Sequence, residues 1–557
     1  MRIAFLSHQW PGIRMGGIGS AVRQTAIALS KAGHEVHVFT FAVPDSVRAA
    51  VPESIRFHEA DDLARRVERG QIPAPLGAAL QAGGDGAYRL SLGWLLCDRL
   101  LHIHRERPFD VVEAPDVEAM SLPLVFNRQF DAPVVTHLHC CTSIARAVNE
   151  SGDPDPLLPA LELAAIHLAD AVCAPTQAVV NATQKFVPVP QDVSIIPHPF
   201  PCPTEPFRSP PGDGSIVFVG RIERLKGVQT IAEALNQFLP GHPGATFRFV
   251  GPDTSTAAGG TSMRHWIEAN LLPSVRGRVQ FTGELEPAQI AKEWQAARFG
   301  VMPSLCENFS MACCEAMSFG RTLIVGNGTG SVELVGPAGI AVDPSDAAGL
   351  CRAMESLWVD SDQTDRLSRA AYDRILTLCN PVTVAETRVA FYQSAIDRFR
   401  SRGRSDLTGR LRTLPPPLAA ALLPALTGIV GDLSGAAHCS THTPGLRLLN
   451  VMDQIGQPAR VLLYGAGKHT ARLLSERHVW ESRGHRVVGI IDDHARFAQT
   501  PVYLDLPVQS LEQARARILA GNLVPPVVLS TDTYQDQFWK QSEPLRAAGV
   551  PVFRLYS

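Results

Sequence analysis

The chain has no uninterrupted apolar run of the roughly 20 residues that a bilayer span requires. Its longest candidate, Pro415 to Gly431, is broken by Pro424 and two glycines, and reads as a docking segment rather than an anchor. There is no C-x-x-C pair, and the 11 cysteines, an odd number, fall mostly in apolar runs (Cys97, Cys173, Cys351, Cys379). They read as reduced core thiols, against a disulfide framework or a cysteine zinc site. The vicinal pairs Cys140-Cys141 and Cys313-Cys314 are assigned to packing too. Basic residues are neither in excess nor clustered: 51 Lys and Arg stand against 54 Asp and Glu, a net charge of −3. No nucleic-acid partner is expected from that balance. No apolar leader precedes Arg2-Ile-Ala-Phe-Leu-Ser7, which opens directly as a strand, so a cytoplasmic location is expected.

What is present is an alternation of strand and helix patterns, the mark of parallel sheets wrapped by helices. At 557 residues the chain is too long for one core. Buried strands are expected at 2–7, 35–41, 109–113, 133–138, 170–174 and 193–197, with a helix over 20–32 ending at Gly33. They outline a first Rossmann-like domain over 1–203. Between its layers, the irregular region 60–108 carries Arg65, Arg66 and Arg69 and an apolar helix pattern from Tyr88 to Ile103 around Trp94. It either shapes the pocket for the more variable substrate or is a solvated loop with a packing helix. The three arginines offer charge to an anionic lipid surface, which would bring the protein peripherally to the inner face of a membrane.

A Pro/Gly-rich hinge, Pro197 to Gly214, leads to a second Rossmann-like domain over 212–380, with strands at 216–219, 246–250, 279–282, 299–303 and 322–325. A helix over 382–400 is expected to cross back to the first domain. A linker over 401–457 then precedes a smaller third module at 458–557, with strands Arg460–Tyr464, 487–493 and 526–530.

The stretch Pro303 to Gly320 carries the densest chemistry. Glu307 sits in a turn after a strand, and Glu315 lies eight residues on inside a small apolar helix pattern. A helix start presents unpaired N–H groups and a positive dipole end, an anion site. Glu307 cannot bind that anion, so its target would be the hydroxyls of a polyol, while Glu315 would meet another part of the same ligand. Val219-Gly220-Arg221 to Lys226-Gly227 occupies the strand-to-helix turn of the second domain. Two cations at a helix start suit a diphosphate; Arg224, the competing cation, is assigned to solvent. Gly16-Gly17-Ile18-Gly19 fills the matching turn of the first domain, where glycine lets a ligand approach the backbone. His137 and His139 end a strand with the same facing, so position alone does not separate them.

In this order, a G-G-x-G loop, a strand-end histidine, a V-G-R-x-x-x-x-K-G turn and an E-x7-E motif ending in E-A-M-x-x-G resemble the retaining GT-B glycosyltransferases, bacterial mannosyl-, glucosyl- and N-acetylglucosaminyltransferases among them. The resemblance covers roughly residues 1–400 and implies an α/β fold of two facing Rossmann-like domains, with the third module added. It implies that Arg221 and Lys226 bind the donor diphosphate, that Glu307 faces the donor sugar, and that the amides of Phe309, Ser310 and Met311 bind sugar and phosphate. Glu315 would hold the ribose diol, Gly16 and Gly17 would close on the diphosphate, and Glu284 and Leu285 after Gly283 would offer backbone to the base. The family pattern favours His139 over His137 beside the reacting centre. Ser310 stands where many members have glycine, and Arg321-Thr322 replaces the usual residue-Pro pair, which bears on sugar preference.

The resulting expectation is a transferase moving a sugar from a nucleoside diphosphate donor to a saccharide or lipid-linked acceptor by front-face attack with retention. It would need no metal and no cofactor, since side chains neutralise the diphosphate and no D-x-D lies near the motifs. The alternatives are a disaccharide phosphorylase of the same architecture and a non-catalytic nucleotide-sugar sensor. In the third module, Gly465-Ala-Gly467 and Thr470 resemble a dinucleotide turn, and Asp492 or Asp493 ends the next strand, so a bound nucleotide or a purely structural role is expected there.

Overall fold

The computed structural model describes residues 1–402 apart from 13–15, 74–75, 78–79, 82, 128–129, 150–154, 191, 202–205 and 213, and beyond them isolated positions up to 452 and, with gaps, residues between 459 and 554. Met1–Gly435 forms one compact unit and Ala436–Ser557 another.

The first unit holds two parallel sheets. One has strand order β3-β2-β1-β4-β5-β6-β7, built from Arg2–Leu6, Glu35–Thr40, Ile55–Glu59, Val111–Pro115, Val134–His137, Ala171–Ala174 and Ser194–Ile195 in sequence order. The other is β10-β9-β8-β11-β12-β13, from Ser215–Val219 (β8), Phe247–Val250 (β9), Val279–Gly283 (β10), Ala297–Met302 (β11), Leu323–Gly326 (β12) and Ile340–Val342 (β13). Helices cover both faces, so the central strands read as unbroken apolar runs; β1 is buried along its whole length. In each sheet the order reverses beside the first strand, between β1 and β4 and between β8 and β11. Ligands of doubly wound folds bind in the crevice at the carboxyl ends of such strands. Both glycine turns and the Glu307 stretch emerge at those ends.

The helix Gly17–Lys31 follows β1 closely because Gly19 has no Cβ: one there would lie 3.0 Å from the backbone of Gln9 and Trp10. It closes with a basic residue, Lys31, in its last turn and Gly33 at φ +85° just beyond, both favourable at a helix C-terminus. The helix Pro381–Arg402 follows the second sheet in sequence yet packs on the first, where Val384, Ala385, Phe391, Tyr392, Ala395 and Ile396 join Ile3, Phe5 and Val111 in one core. Within 401–457, Leu414, Leu418 and Leu422 are buried against the other face of that sheet. Among the described residues no helix is long and apolar enough to cross a membrane.

The second unit carries a sheet of order β16-β17-β15-β14-β18-β19, from Arg460–Tyr464 (β14), Arg486–Ile491 (β15), Val502–Tyr503 (β16), Leu506–Gln509 (β17), Val527–Leu529 (β18) and Val552–Arg554 (β19), parallel except for the β16–β17 pair. Gly465, Gly467 and Asp493 lie outside the described residues. Asp492 is half-buried just after β15, its amide bonded to Gln509 O at 3.0 Å, and Thr470 is buried.

Candidate functional site

The turn after β8 is drawn onto the end of β11. Gly227 adopts φ +69°, and a Cβ there would collide with the carbonyl oxygen of Pro303, so only glycine fits. The Leu305 amide donates to Leu225 O at 2.9 Å and seals the contact. As a result Lys226 Nζ reaches Glu307 Oε2 at 2.6 Å, with both side chains partly buried. Burial lowers the Lys226 pKa, but the facing Glu307 carboxylate outweighs it and the net shift is upward, so the lysine holds its charge. Arg221 is exposed and paired with the buried Glu223 at 2.9 Å, whereas Arg224, which the sequence assigned to solvent, is half-buried.

The helix Met311–Ser318 begins at Ser310, whose hydroxyl accepts from the Cys313 amide at 3.2 Å. The Phe309 amide, expected to face the ligand, donates instead to Asn308 Oδ1 at 2.6 Å. Cys313, Cys314, Ala316 and Met317 face the second core, which leaves Glu315 half-buried at its margin, where burial pushes its carboxyl up to about 7. Gly283, at φ +73°, accepts from the Gly251 amide at 2.9 Å; beyond it Glu284 is exposed and Leu285 rests on the second core.

Gly16 and Gly17 are exposed at the start of their helix, with Gly16 as its N-cap and no acidic residue in the first turn. They keep the backbone open where the sequence placed a phosphate.

The two halves of the first unit are stitched beside these residues. Thr176 Oγ1 donates to Asn308 O at 2.9 Å, and the Glu333 carboxylate accepts from the Gln177 and Ala178 amides at 2.8 and 2.6 Å. Cys140 Sγ and Cys306 Sγ lie 4.0 Å apart across the same seam.

His137 and His139 do share a facing, with ring centroids 4.4 Å apart, and a residue the sequence did not single out joins them: His198, at 5.0 and 5.2 Å. All three are buried, and burial holds each well below the ordinary imidazole pKa. His198 in turn meets the Phe309 ring edge-on at 4.9 Å, which places the triad against the Glu307 stretch. His137 Nδ1 contacts Glu113 Oε1 at 3.2 Å, and Glu113 is held by the fully buried Arg388 at 2.7 and 2.8 Å and by Tyr392 OH at 2.6 Å.

A carboxylate cluster at the end of β4 was likewise not read from the sequence. Asp116 accepts from the His139 amide at 2.8 Å, and burial pushes its carboxyl up to about 7. Glu162, pushed up to about 8 by burial, accepts from the Glu118 amide at 2.8 Å and from the Thr142 amide at 2.6 Å. Glu118 pairs with His8 and, at 2.9 Å, with Arg89. Glu118 and Ala119 have φ of +67° and +50°, strained values for residues with a Cβ, and such strain gathers at functional sites. The advance signal was two carboxylates, Asp116 and Glu118, just after a buried strand.

Two family models match adjoining parts of the chain: Glycosyltransferase Family 4 over residues 15–202 and Glycosyl transferases group 1 over 213–360. The chain is similar to the glycogen synthase of Mycobacterium tuberculosis strain H37Rv, 26% identical over 407 residues, covering 71% of this chain and 95% of that protein. It is also similar to the D-inositol 3-phosphate glycosyltransferase of Acidothermus cellulolyticus, 25% identical over 429 residues, covering 71% and 89%. Among solved structures, sucrose-phosphate synthase from Thermosynechococcus elongatus superposes with a TM-score of 0.54 at 20% identity, over 71% of this chain and 99% of that one. Anabaena Alr3699/HepE in complex with UDP-glucose superposes with a TM-score of 0.51 at 18% identity, over 71% and 100%. Together the two family models end at residue 360, and each of these relatives and structures covers 71% of the chain.

Proposed function

We propose that the chain is a glycosyltransferase of the group 1 type with GT-B architecture and a nucleotide-sugar donor, and that it moves a hexose to a saccharide or lipid-linked acceptor with retention at the anomeric carbon. The observation that carries this reading is the Lys226–Glu307 pair, 2.6 Å apart at the crevice between β8 and β11. A cation and a carboxylate side by side suit a ligand that is anionic at one end and hydroxylated at the other.

In this reading Lys226 spends one of its three N–H donors on Glu307 and offers the others to the diphosphate, with Arg221 as the second cation. The amides of Ser310 and Met311 add the helix start, while Phe309 contributes its ring. Glu307 holds the sugar hydroxyls, Glu315 the ribose diol, and the backbone at Glu284 and Leu285 the base. Gly16 and Gly17 close on the diphosphate from the first sheet, and His139 lies beside the reacting centre.

Breaking the anomeric C–O bond leaves charge on the departing diphosphate and oxocarbenium character on the sugar. Preorganised cations and N–H groups stabilise that charge as it develops. The bond to the acceptor oxygen forms on the face the diphosphate leaves, and the diphosphate oxygen takes the acceptor proton. No carboxylate is assigned as a nucleophile, and no metal is assigned to the diphosphate. We also propose that Gly465, Gly467 and Asp492 hold a nucleotide in the second unit.

The test is a thermal-shift screen of nucleoside diphosphates and nucleotide sugars, UDP-glucose first because a structural neighbour carries it. A ligand at 100 times its dissociation constant adds about 2.7 kcal/mol. Proton NMR of the product formed with the best donor then reads the anomeric configuration. An inverted product would overturn the front-face assignment.

A further inference from the structure

We propose that His137, His139 and His198 form a binding site for a divalent first-row transition ion of the zinc class, with Glu113 as its outer-shell carboxylate. One ring nitrogen from each of the three histidines lies within 4.8 Å of the other two. His137 Nε2, His139 Nε2 and His198 Nδ1 are buried, and none has a hydrogen-bond partner among the described residues. Three unpaired imidazole nitrogens turned into one small space cost desolvation energy unless something occupies it.

Two candidates fit three neutral lone pairs: a proton donor shared among them, or a cation that accepts all three. The contacts of His137 favour the cation. Its Nδ1 lies 3.2 Å from Glu113 Oε1 and 3.4 Å from Arg388 Nη1; the carboxylate is the nearer partner and takes the ring proton on Nδ1, which leaves the unpartnered Nε2 with its lone pair. A histidine that binds a metal almost always donates its second ring N–H to a carboxylate or carbonyl in this way. Glu113 is itself fixed by both Arg388 contacts and by Tyr392, so the outer shell is as rigid as the core around it.

The geometry is within reach of an ion. Zinc–nitrogen bonds of about 2.05 Å in a tetrahedral arrangement set the nitrogens about 3.3 Å apart. Three imidazoles leave a fourth position open, and neutral nitrogen ligands suit zinc, cobalt, nickel or copper rather than magnesium or calcium. An ion here would tie the end of β5 to the segment after β7, whose Phe200 amide bonds to Cys379 O at 2.9 Å in the other half of the unit. His139 belongs both to this site and to the proposed reacting centre, so the test reads metal binding itself and not transfer, and its outcome is distinguishable from failure of the transfer reading.

The experiment uses the full-length protein stripped with a chelator and then titrated with Zn2+ against a chromophoric competitor, and with Co2+ followed by its visible absorption. One ion per chain is expected, with the intense d–d bands of a low-coordinate nitrogen-ligated Co2+. His198→Gln and His137→Gln should each weaken binding by 100-fold or more, and Glu113→Gln by about 10- to 100-fold. The double variant Cys140→Ser with Cys306→Ser should bind as the wild type does, since neither thiol is a ligand in this assignment. Failure of the wild-type protein to bind one Zn2+, or binding that survives His198→Gln, overturns the proposal. So does binding that is lost only in the cysteine double variant. The wild-type titration decides without a variant, so a misfolded mutant does not leave the question open.

Discussion

Lys226 Nζ and Glu307 Oε2 come within 2.6 Å although 81 positions separate them in the chain. Gly227 makes this possible, because only a residue without Cβ passes the Pro303 carbonyl. The pair sets the first expectation. Lys226→Ala should lower turnover by about 10²-fold or more, the loss typical of removing one donor to a developing oxyanion. Steady-state kcat at saturating donor measures it, and a variant turning over near the wild-type rate would remove Lys226 from the diphosphate.

Glu307→Ala separates the two ends of the ligand. With sugar hydroxyls as its target, the variant should lose most of its transfer rate yet bind free nucleoside diphosphate within a few-fold of wild type. Calorimetry with the diphosphate alone checks this. A large loss of diphosphate affinity would mean that Glu307 acts through Lys226.

In its proposed role on the ribose diol, Glu315 should make donor binding depend on pH. Its carboxyl is raised to about 7 from the ordinary value of 4.5 by burial, and a diol is held by the ionised form. Donor KM should therefore rise as pH falls through 7, by up to about tenfold per unit below it, and Glu315→Gln should flatten that dependence. The linked effect on stability has the opposite sense: a raised carboxyl favours folding below its unfolded pKa and loses that contribution as pH rises through 7. A pH series of donor KM for both proteins reads the first effect and one of Tm the second.

Arg388 is fully buried against Glu113, and removing it strands a carboxylate in the core. Arg388→Ala should cost about 3–5 kcal/mol of stability, as other broken buried pairs do. Denaturant titration of the folded variant measures it, and a loss under 1 kcal/mol would show that water reaches Glu113.

Glu333 accepts from two amides at the start of the helix Gln177–Thr183, which belongs to the other sheet. Glu333→Ala should cost about 0.5–2 kcal/mol, the range for losing a helix cap. If the contact also sets the spacing of the two halves, donor KM rises with it; unchanged KM would confine the residue to stability.

The architecture was legible because central parallel strands are apolar from end to end: β1, β2, β8 and β11 stand within a residue or two of where their sequences put them. Of the four edge strands in the first unit, β7 and β10 were expected but β3 and β13 were not. Ile55–Glu59 has one fully buried residue among charged and half-exposed neighbours, and Ile340–Val342 is three residues long, too short to show a period. The turn that carries Arg221 and Lys226 and the helix start after Glu307 were legible because glycine turns and helix starts are local patterns. Glu113 and Arg388 lie 275 positions apart, and His198 sits in a proline-flanked segment that reads as hinge, so no local pattern joins them. The strain at Glu118 and Ala119 is invisible in sequence, since neither is a residue that favours positive φ.

The most direct measurement is release of nucleoside diphosphate from a nucleotide sugar, without added phosphate, by the wild-type protein and by Lys226→Ala side by side. A nucleotide-sugar-dependent transferase releases the diphosphate in step with product, and the variant falls by about 10²-fold or more. Tight donor binding with no diphosphate released by the wild type, across a broad panel of acceptors, would contradict it.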